Sequence, residues 1–551
     1  MPKMKGQPNT NHGLNQSNGT DRELPEVVLA RRALPYMDPV LMFHRVCNGP
    51  NNLLLESAEI DSKRHLQSFL MTKSAVRIVC RGRVVTARAL SVAGQQILDS
   101  LGKTFREREV AGLEVVQSDS AGGREITFRF SEGDRQLDED SRLVAPSVFE
   151  PLRRIRECVR LQPGDEAGLF VGGLFAYDLV EQFEPLPAAA DVDGCPDYVF
   201  HLAEQVVHFD HVHQAATATQ LGLGAESMPG LERELNQLVL RIEAGVETEL
   251  PPIAEVTGEP AVDLSDERFR EIVDRLKEEV VRGVVFQCVP SRSFRYPCPA
   301  PLRAYRRLRA TNPSPYMFYV NDEEFVLFGA SPETAVKFTV SDRMVELCPI
   351  AGTRPRGFGA DGRIDLDLDG RIELELRTDQ KEMSEHLMLV DLARNDLARI
   401  CDPGTRHVAQ LLRVDRYSHV MHLVSRVKGR LRSELDGLHA YQACMNMGTL
   451  TGAPKVQAMQ LIRELEGQRR GSYGGAVGYF NGSGDLDSCI VIRSAFVRNG
   501  VARVQAGAGV VHDSDPQSEA NETRGKAQAV INALRNSHLD LDGNSSKGGA
   551  R

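Results

Sequence analysis

The stretch GSYGGAVGYF, from Gly471 to Phe480, predicts a strand in which glycine lets a ligand or a second backbone approach closely. Two similar strands follow it, CIVIRSAF from Cys489 to Phe496 and QAGAGVV from Gln505 to Val511. Long helical segments occur as well, and Asp266–Gly283 places its apolar residues on one face. Strands and helices do not alternate strictly along the chain. The sequence therefore predicts an α+β fold of large antiparallel sheets with flanking helices.

Length and composition indicate a large globular protein. The 551 residues are 41% hydrophobic and 26% charged, and they exceed the size of one ordinary core. The formal net charge of −10 argues against a nucleic-acid-binding surface. Ten cysteines form no CxxC pair, so neither a zinc site nor a disulfide framework is indicated. Because the sequence shows no secretory signal and no apolar run of about 18 residues, we expect a cytoplasmic protein without a membrane span.

The chain is predicted to consist of two folded regions and two tails. Residues 1–22 and 536–551 are rich in small polar residues and glycine, and we expect both tails to be disordered. The segment Val246–Leu264 is rich in proline and glutamate, has no clear periodicity and predicts a boundary. The folded regions on its two sides are predicted to span residues 23–250 and 262–535.

Two predicted helices each carry a pair of glutamates at helical spacing. Glu382 and Glu385 share one helix face, and Glu519 and Glu522 share a face one turn after the helix start at Asp515. A solvated surface is the ordinary explanation of one such pair. If the two helices face each other, four carboxylates converge, which is tolerable around a hard divalent cation. The pattern therefore favours a weak Mg²⁺ site shared with an anionic substrate.

Several other segments have the composition of anion-binding loops. LCPIAGTRPRG, from Leu347 to Gly357, combines glycine, threonine and arginine around the unreactive Ala351. GTLTGAPKVQAM, from Gly448 to Met459, lacks the lysine position of a P-loop and is either a generic anion cradle or an ordinary helix entry. Arg493 lies among apolar strand residues and needs a carboxylate partner, from a substrate or from the chain. His422 is either a core histidine or a general acid–base group.

These segments belong to a larger set that resembles the component I family of anthranilate synthases, which use chorismate. The set follows the family's order over roughly residues 40–535 and comprises LLLESAEI, VFQCVPSR, NPSPYMFY, ASPET, PIAGTRPRG, SEHLMLVDLARNDLARI, VMHLVSRV, GTLTGAPK, RRGSYGGAVGY, IVIRSA and DSDPQSEANETRGKA. The resemblance implies a large interlocked chorismate-binding fold of antiparallel sheets with flanking helices. It also implies conversion of chorismate and ammonia to anthranilate and pyruvate with Mg²⁺, the first step of tryptophan biosynthesis.

The resemblance assigns residues to a catalytic site in the C-terminal region. Glu333 matches the acid that protonates the departing C4 hydroxyl group, and His422 matches the histidine near the aromatising C–H bond. The contacts to chorismate fall on Gly352, Thr353, Tyr473, Arg493, Gly507, Ala508, Gly509 and Lys526. The Mg²⁺ ligands fall on Glu385 and Glu522, with Glu382 and Glu519 as water-mediated partners.

Two positions bear on the identity of the nucleophile. Family relatives that add water carry a lysine base at the position of Gln287, and a neutral amide cannot serve as that base. Many aminodeoxychorismate synthases carry a nucleophilic lysine at the position of Ala351. The alanine of this chain offers no amine. The sequence contains no GxCxGxQ glutaminase segment. The resemblance therefore implies ammonia delivered by a separate glutamine amidotransferase subunit, component II.

The N-terminal region contains LLLES, which matches the tryptophan-sensing element of the family. The matching residues of this element are Glu56, Ser57, Pro315, Tyr316, Met317 and Cys489. The match implies feedback inhibition by L-tryptophan at a site separate from that of chorismate.

Two alternatives to this interpretation stay open at the level of sequence. The first is an aminodeoxychorismate synthase component I that lacks the usual lysine, which would release aminodeoxychorismate instead of anthranilate. The second is a catalytically inactive tryptophan-binding regulator, which would require the loss of the glutamates or of Arg493. None of these positions departs from the family pattern.

Overall fold

The structure, a computed structural model, describes residues 24–58, 65–120, 123–133, 137–245, 250–359, 361–417 and 420–540. Its strands are β1 (Val27–Leu34), β2 (Asn52–Ala58), β3 (His65–Arg81), β4 (Val84–Ala89), β5 (Leu113–Ser120), β6 (Gly123–Phe130), β7 (Phe170–Phe175), β8 (Tyr198–Asp210), β9 (Ala215–Leu223), β10 (Ala261–Val262), β11 (Gln287–Cys288), β12 (Ser291–Pro297), β13 (Tyr316–Asn321), β14 (Val326–Ser331), β15 (Thr334–Thr339), β16 (Met344–Leu347), β17 (Ile350–Pro355), β18 (His407–Arg416), β19 (Val420–Arg430), β20 (Gly452–Ala453), β21 (Ala476–Asn481), β22 (Leu486–Ile490), β23 (Ser494–Arg498) and β24 (Val501–Gly507).

The α-helices are α1 (Pro39–Val46), α2 (Val92–Glu107), α3 (Glu139–Val144), α4 (Glu150–Glu157), α5 (Met228–Ala244), α6 (Asp266–Val281), α7 (Pro301–Thr311), α8 (Leu366–Thr378), α9 (Gln380–Ala398), α10 (Gly437–Cys444), α11 (Gly448–Thr451), α12 (Lys455–Glu466) and α13 (Pro516–Arg535). Short 3₁₀ helices span Glu166–Gly168, Tyr177–Gln182 and Ala225–Ser227.

Apart from β11 and β20, which form a separate two-stranded sheet, the described strands pair in antiparallel fashion into one extended system. β3 is 17 residues long and pairs with β2, β4 and β8. From β8 the sheet continues through β7, β21, β22, β15 and β16 to β19. From β2 it continues through β13, β14, β23 and β24 to β12. The predicted α+β fold of large antiparallel sheets with flanking helices is confirmed.

Strands from both sides of the predicted boundary belong to this system. β2 pairs with β13, and β7 pairs with β21, so main-chain hydrogen bonds join residues 23–250 to residues 262–535. Just after the boundary begins, the Leu250 carbonyl oxygen accepts a hydrogen bond of 2.7 Å from the buried Arg303. Strands of residues 262–535 therefore depend on strands of residues 23–250 for part of their pairing.

Glycine in β7 and β21 allows close backbone approach, as the sequence of Gly471–Phe480 predicts. All six residues of β7 are buried, and β8 and β21 flank the strand on its two sides. A Cβ atom on Gly173 would lie 2.0 Å from the Val199 carbonyl oxygen. Its cross-strand partner Gly478 is equally confined, because a Cβ atom there would lie 2.2 Å from the Asp487 carbonyl oxygen. Neither position can carry a side chain without moving backbone.

Helix α6 confirms the amphipathic pattern predicted for Asp266–Gly283. The Ser265 hydroxyl caps it by accepting a hydrogen bond from the Arg268 N–H. Its buried apolar residues are Phe269, Ile272, Val273 and Leu276. They pack with Ile462 of α12 and with Cys288 of β11. This packing fixes β11, which opens with the predicted site residue Gln287.

The end of the chain differs from the prediction in one respect. Residues 1–22 and 541–551 of the predicted tails lie outside the described residues. Residues 536–540, assigned by the sequence analysis to the C-terminal tail, instead pack on Arg303, which donates a hydrogen bond of 2.7 Å to the Ser537 carbonyl oxygen. A buried cation needs acceptors, and this segment supplies them. Of the helices in the described part of the chain, none combines the length and apolarity that crossing a membrane requires.

Candidate active site

The turn between β14 and β15 carries a buried carboxyl group. Glu333 is 6% exposed, and its carbonyl oxygen accepts a hydrogen bond of 3.0 Å from the Ile490 N–H. The Thr449 hydroxyl donates to Glu333 Oε1 at 3.0 Å. Burial raises the pKa of Glu333 to about 8, although the Thr449 hydrogen bond and the charges of Arg493 and Lys526 act against the shift. At neutral pH the group is therefore protonated and able to donate a proton.

The PIAGT segment forms β17 and lies beside His422. Gly352 has a φ of +77°, where the register between β17 and β19 shifts. A Cβ atom on Gly352 would approach the Glu382 carboxylate to 3.2 Å. Glycine therefore suits both the positive φ angle and the confined space at this position. Thr353 is the cross-strand partner of His422, and Thr353 Oγ1 lies 2.9 Å from His422 Nδ1. The ring also packs edge-on against Tyr417, with 5.1 Å between centroids. The predicted residues of this segment thus meet.

Both arginines of PIAGTRPRG are bound by carboxylates of the chain itself. Arg354 donates to Glu382 at 2.7 Å and to Asp379 at 2.6 Å. Arg356 makes two hydrogen bonds of 2.8 Å to Asp369. The segment therefore does not use these arginines to grip an external anion.

The guanidinium of Arg493 is a half-buried cation that has no hydrogen-bonded partner in the described part of the chain. It lies between β22 and β23 with a φ of +47°. Burial lowers the pKa of Arg493, and the groups that oppose this, Tyr473, Glu522 and Glu333, act through charge alone. A buried cation without an anion is costly. The sequence left two candidate partners for Arg493, a carboxylate of the chain and a carboxylate of a substrate. Among the described residues no carboxylate of the chain forms a hydrogen bond with the guanidinium, so the position suits a carboxylate from a ligand.

The end of β24 lies beside Tyr473 and Lys526. A Cβ atom on Gly507 would lie 2.7 Å from the Pro290 carbonyl oxygen and 3.0 Å from the Tyr473 hydroxyl. Lys526 Nζ donates to the Gly507 carbonyl oxygen at 3.1 Å. The Ala508 N–H donates to the Pro290 carbonyl oxygen at 3.1 Å and is therefore already used by the chain. The predicted contacts Tyr473, Gly507 and Lys526 are brought together here.

Gln287 lies against Gly509 at the same end of the sheet. The side chain is 5% exposed, and a Cβ atom on Gly509 would lie 2.6 Å from Gln287 Nε2. Its Oε1 atom is buried and, within the described residues, has no hydrogen-bond partner. A buried amide oxygen without a hydrogen-bond donor is uncommon in folded proteins.

The two predicted glutamate helices face each other. Glu382 and Glu385 lie on α9, and Glu519 and Glu522 lie on α13. Burial raises the pKa of Glu385 to about 7, and the negative charges of the other three glutamates act in the same direction. Burial also raises the pKa of Glu519, and Lys381 of α9 partly offsets that rise. Charges on each helix thus act on the other.

These carboxylates do not form a preassembled metal centre. In the described residues no group of three or more His, Cys, Asp or Glu is arranged to hold a metal ion. Arg354 binds Glu382, and Lys526 Nζ lies 2.6 Å from Glu522 Oε1. The donor set nevertheless suits Mg²⁺, which takes one or two carboxylates and completes its shell with water and substrate oxygens.

Comparison with known proteins decides the family. A family model described as chorismate binding enzyme matches residues 114–532. Anthranilate synthase component 1 of Vibrio cholerae is 57% identical over 512 residues, which cover 92% of this chain and 96% of the relative. The Escherichia coli protein of the same name is 53% identical over 509 residues, covering 91% and 95%. The chain belongs to the anthranilate synthase component 1 family. The family predicted from the motifs is confirmed.

Solved structures agree with this membership of the component 1 family. Anthranilate synthase component I from Streptococcus pneumoniae is 28% identical, with a TM-score of 0.65, and the match covers 90% of this chain and 97% of that one. A menaquinone-specific isochorismate synthase from Escherichia coli is 17% identical, with a TM-score of 0.62 and coverage of 93% and 96%. At that identity the second match speaks for the fold alone. The interlocked chorismate-binding fold is confirmed.

Two side chains of the component 1 site were missed from sequence. Thr449 in α11 binds the Glu333 carboxyl group, although the surrounding GTLTG segment was recognised only as an anion cradle or helix entry. Tyr417, which packs on His422, carried no local signal. Thr449 and Glu333 lie 116 residues apart, so local pattern could not reveal their contact.

A second cavity, of about 590 Å³, contains the predicted tryptophan-sensing element. Its lining includes Glu56, Ser57, Pro315, Tyr316, Met317 and Cys489. The side chain of Glu56 nevertheless turns to the opposite face of β2, where the carboxylate accepts a hydrogen bond of 2.5 Å from Tyr305 and pairs with Arg309 at 2.9 Å. Met317, its cross-strand partner, packs in the same core. Glu56 and Met317 therefore reach the cavity with backbone.

We expect Glu333→Gln to stabilise the protein increasingly as pH rises. The folded wild-type chain keeps a proton on Glu333 up to about pH 8, whereas the unfolded chain releases it above its ordinary pKa of 4.5. Wild-type stability therefore falls across this window, with a slope from this group of up to about 1.4 kcal/mol per pH unit. The Glu333→Gln variant has no proton to release at this position, so its free energy of unfolding does not fall for this reason.

Urea denaturation of both proteins between about pH 5 and about pH 8 measures the difference in the free energy of unfolding. Glu464→Gln, at an exposed position of α12, is the matched control and is expected to follow the wild type. Parallel curves for Glu333→Gln and the wild type would contradict the assigned pKa.

Proposed function

We propose that the chain converts chorismate and ammonia into anthranilate and pyruvate, acting as a lyase in the first step of tryptophan biosynthesis. The observation that supports this most directly is a protonated buried carboxyl group, Glu333, near a half-buried cation without a hydrogen-bonded partner, Arg493. An anionic substrate that loses a hydroxyl group needs both, because the cation binds its carboxylate and the acid protonates the leaving oxygen. The names of close relatives support the same reaction.

In the first half-reaction, the nitrogen of ammonia forms a bond to ring carbon C2 while the C4–O bond breaks. The two ring double bonds shift from C1=C2 and C5=C6 to C1=C6 and C4=C5. The departing C4 oxygen takes the electron pair of the C4–O bond and the proton of Glu333, and it leaves as water. The new amine nitrogen releases one proton, which restores protonated Glu333 in the overall balance. Burial keeps Glu333 protonated up to about pH 8, so the donor is ready at neutral pH.

In the second half-reaction, the amino intermediate loses the proton on C2 and the C3–O bond breaks. The enolpyruvyl group gains a proton on its terminal carbon and leaves as pyruvate, and aromatisation of the ring drives the step. We assign His422 to the proton on C2, because Thr353 and Tyr417 hold the ring in one orientation. Tyr473, Lys526 and the main chain at 507–509 are assigned to orientation of the substrate.

We assign Mg²⁺ to the facing glutamates of α9 and α13. Glu385 and Glu522 would hold it directly, and Glu382 and Glu519 would act through water. When bound, Mg²⁺ supplies positive charge for the ring carboxylate of the substrate. The raised pKa of Glu385, about 7, supports the assignment, because crowded carboxylates are relieved by a cation.

External ammonia is the nucleophile that fits this site. Ala351 carries no amine and Gln287 carries no base, which disfavours a lysine-mediated or water-adding relative. A glutamine amidotransferase subunit, component II, is the partner that we expect to deliver ammonia. We place the enzyme in the cytoplasm, a reducing compartment that agrees with ten unpaired cysteines.

L-Tryptophan is proposed to inhibit the enzyme from the second cavity. Ser57 and Tyr316 are cross-strand partners on the cavity side, and Cys489 lies in the adjoining β22. A cavity of about 590 Å³ has the size of a small-molecule site. Its charged lining residues, which include Lys337 and Asp487, suit an amino-acid ligand with charges of both signs.

The function is tested with the purified chain, chorismate, Mg²⁺ and an ammonium salt, with anthranilate followed by fluorescence. We expect anthranilate from the wild type, and a fall in kcat of about 10²–10⁴-fold in Glu333→Gln with a nearly unchanged chorismate KM. Aminodeoxychorismate as the product would support the first alternative instead. Absence of any product at high ammonium concentration would contradict the proposal and favour the inactive regulator.

Removal of a metal ligand is expected to abolish Mg²⁺-dependent turnover without unfolding the chain. Glu385→Ala and Glu522→Ala each take away one carboxylate that Mg²⁺ needs. Isothermal titration with Mg²⁺ in the presence of chorismate measures the loss of affinity, and circular dichroism measures folding. Glu464→Ala serves as the control. Turnover at the wild-type rate in Glu385→Ala or Glu522→Ala would remove that residue from the metal site.

Ser57→Phe is expected to weaken tryptophan binding by at least about tenfold, because the larger side chain occupies the cavity. The chorismate KM is expected to stay within about twofold, since the cavity is separate from the site. Met317→Leu is the matched control, because that side chain packs on the other face of the sheet. Activity measured against tryptophan at several chorismate concentrations gives both the inhibition constant for tryptophan and the chorismate KM. A wild type insensitive to tryptophan would remove the inhibition.

A further inference from the structure

Gln287 combines a fixed backbone with an unsatisfied side chain. β11 pairs with β20, which places Gln287 opposite Ala453, and the residue is 5% exposed. Oε1 is fully buried, and across the described ranges no group donates a hydrogen bond to it. The strand thus holds a polar group in the interior without giving it a partner.

The cost of this arrangement points to a ligand. A buried amide oxygen without a donor forfeits its hydration and costs on the order of 1–3 kcal/mol. An apolar side chain of similar volume at this position, such as methionine, would avoid that cost. Retention of an unpartnered amide is therefore typical of a position whose hydrogen bonds are completed when a ligand binds.

The amide lies where the proposed chemistry occurs. A Cβ atom on Gly509 would come within 2.6 Å of Gln287 Nε2, so the amide stands directly against the segment assigned to the substrate. On the other side, Val289 accepts a hydrogen bond from the buried Arg470, which fixes the loop that follows β11. The main chain around Gln287 is therefore fixed, and its side chain lies beside the segment assigned to the substrate.

We propose that Gln287 Oε1 is the acceptor that binds and orients the ammonia nucleophile. Resting on the proposed function, this assigns ammonia a hydrogen bond from one N–H to the amide oxygen, which leaves its lone pair free to point at C2. The N–C2 bond then forms and the C4–O bond breaks as described above, and Gln287 neither gains nor loses a proton. A water molecule at the same acceptor stays a weak nucleophile, because a neutral amide cannot remove its proton.

The test measures the KM for ammonia separately from the KM for chorismate. Gln287→Met keeps the length of the side chain but has no acceptor, and we expect it to raise the ammonia KM by at least about tenfold. The chorismate KM and the Mg²⁺ affinity are expected to stay within about twofold. Gln287→Glu keeps an oxygen acceptor and is expected to have an ammonia KM within about threefold of the wild type.

Gln220→Met is the matched control for loss of a buried glutamine. Gln220 lies in β9, and its amide is satisfied by Glu204, Glu234 and Gln205. We expect this variant to lose stability while its ammonia KM stays at the wild-type value. It separates a general effect of destabilisation from a specific effect at the site.

The outcomes are distinguishable. An unchanged ammonia KM in Gln287→Met, or equal increases of both KM values, would overturn the inference while the proposed function stands. A wild type that forms no anthranilate overturns the proposed function itself. If Gln287→Met does not fold, Gln287→Glu decides alone, because a tenfold rise of its ammonia KM contradicts the acceptor role and a wild-type value supports it.

Discussion

A buried ion pair between Arg470 and Glu466 holds together the segments that carry the candidate site. Arg470 Nη2 lies 2.6 Å from Glu466 Oε1, and both side chains are almost fully excluded from solvent. Arg470 also donates to the carbonyl oxygens of Leu450 at 2.7 Å and Val289 at 2.6 Å, while Glu466 accepts the Ser291 N–H at 2.7 Å. These neighbours belong to α11, to the loop after β11 and to the start of β12. Loss of either partner would leave an uncompensated buried charge, so the geometry of three segments depends on one pair.

Burial is also what gives the site its chemistry. The same exclusion of water that makes an unpaired charge costly keeps Glu333 protonated up to about pH 8, despite the nearby charge of Arg493. It also removes part of the hydration of Arg493, which lowers the pKa of that guanidinium and makes the position suitable for an anionic ligand. Glu385 of α9 shows a weaker form of this effect, because its side chain is 21% exposed and its pKa is raised only to about 7.

The sequence predicted those features that depend on local pattern. The buried face of α6 and the position of each glutamate pair on a helix follow from helical spacing, and the order of short motifs identified the family. Contacts between distant positions could not be predicted in this way. Thr449 binds Glu333 across 116 residues, and Arg303 reaches Ser537 across 234. Strand alternation places Glu56 and Ser57 on opposite faces, but only the packing on each side of the sheet decides which of them meets the cavity.

The second cavity and the candidate active site share the strands that form their common wall. Thr334 lines the cavity and directly follows Glu333, and the Tyr316 hydroxyl lies 3.1 Å from Thr334 Oγ1. Tyr417 lines the cavity as well and packs against His422. A ligand in the cavity therefore contacts neighbours of both proposed proton-transfer groups. Such a ligand inhibits only if it binds more tightly to a displaced arrangement of these side chains than to the active one. Because the pKa of Glu333 depends on its burial, displacement of Thr334 changes both the position of the acid and the pH range in which it holds its proton.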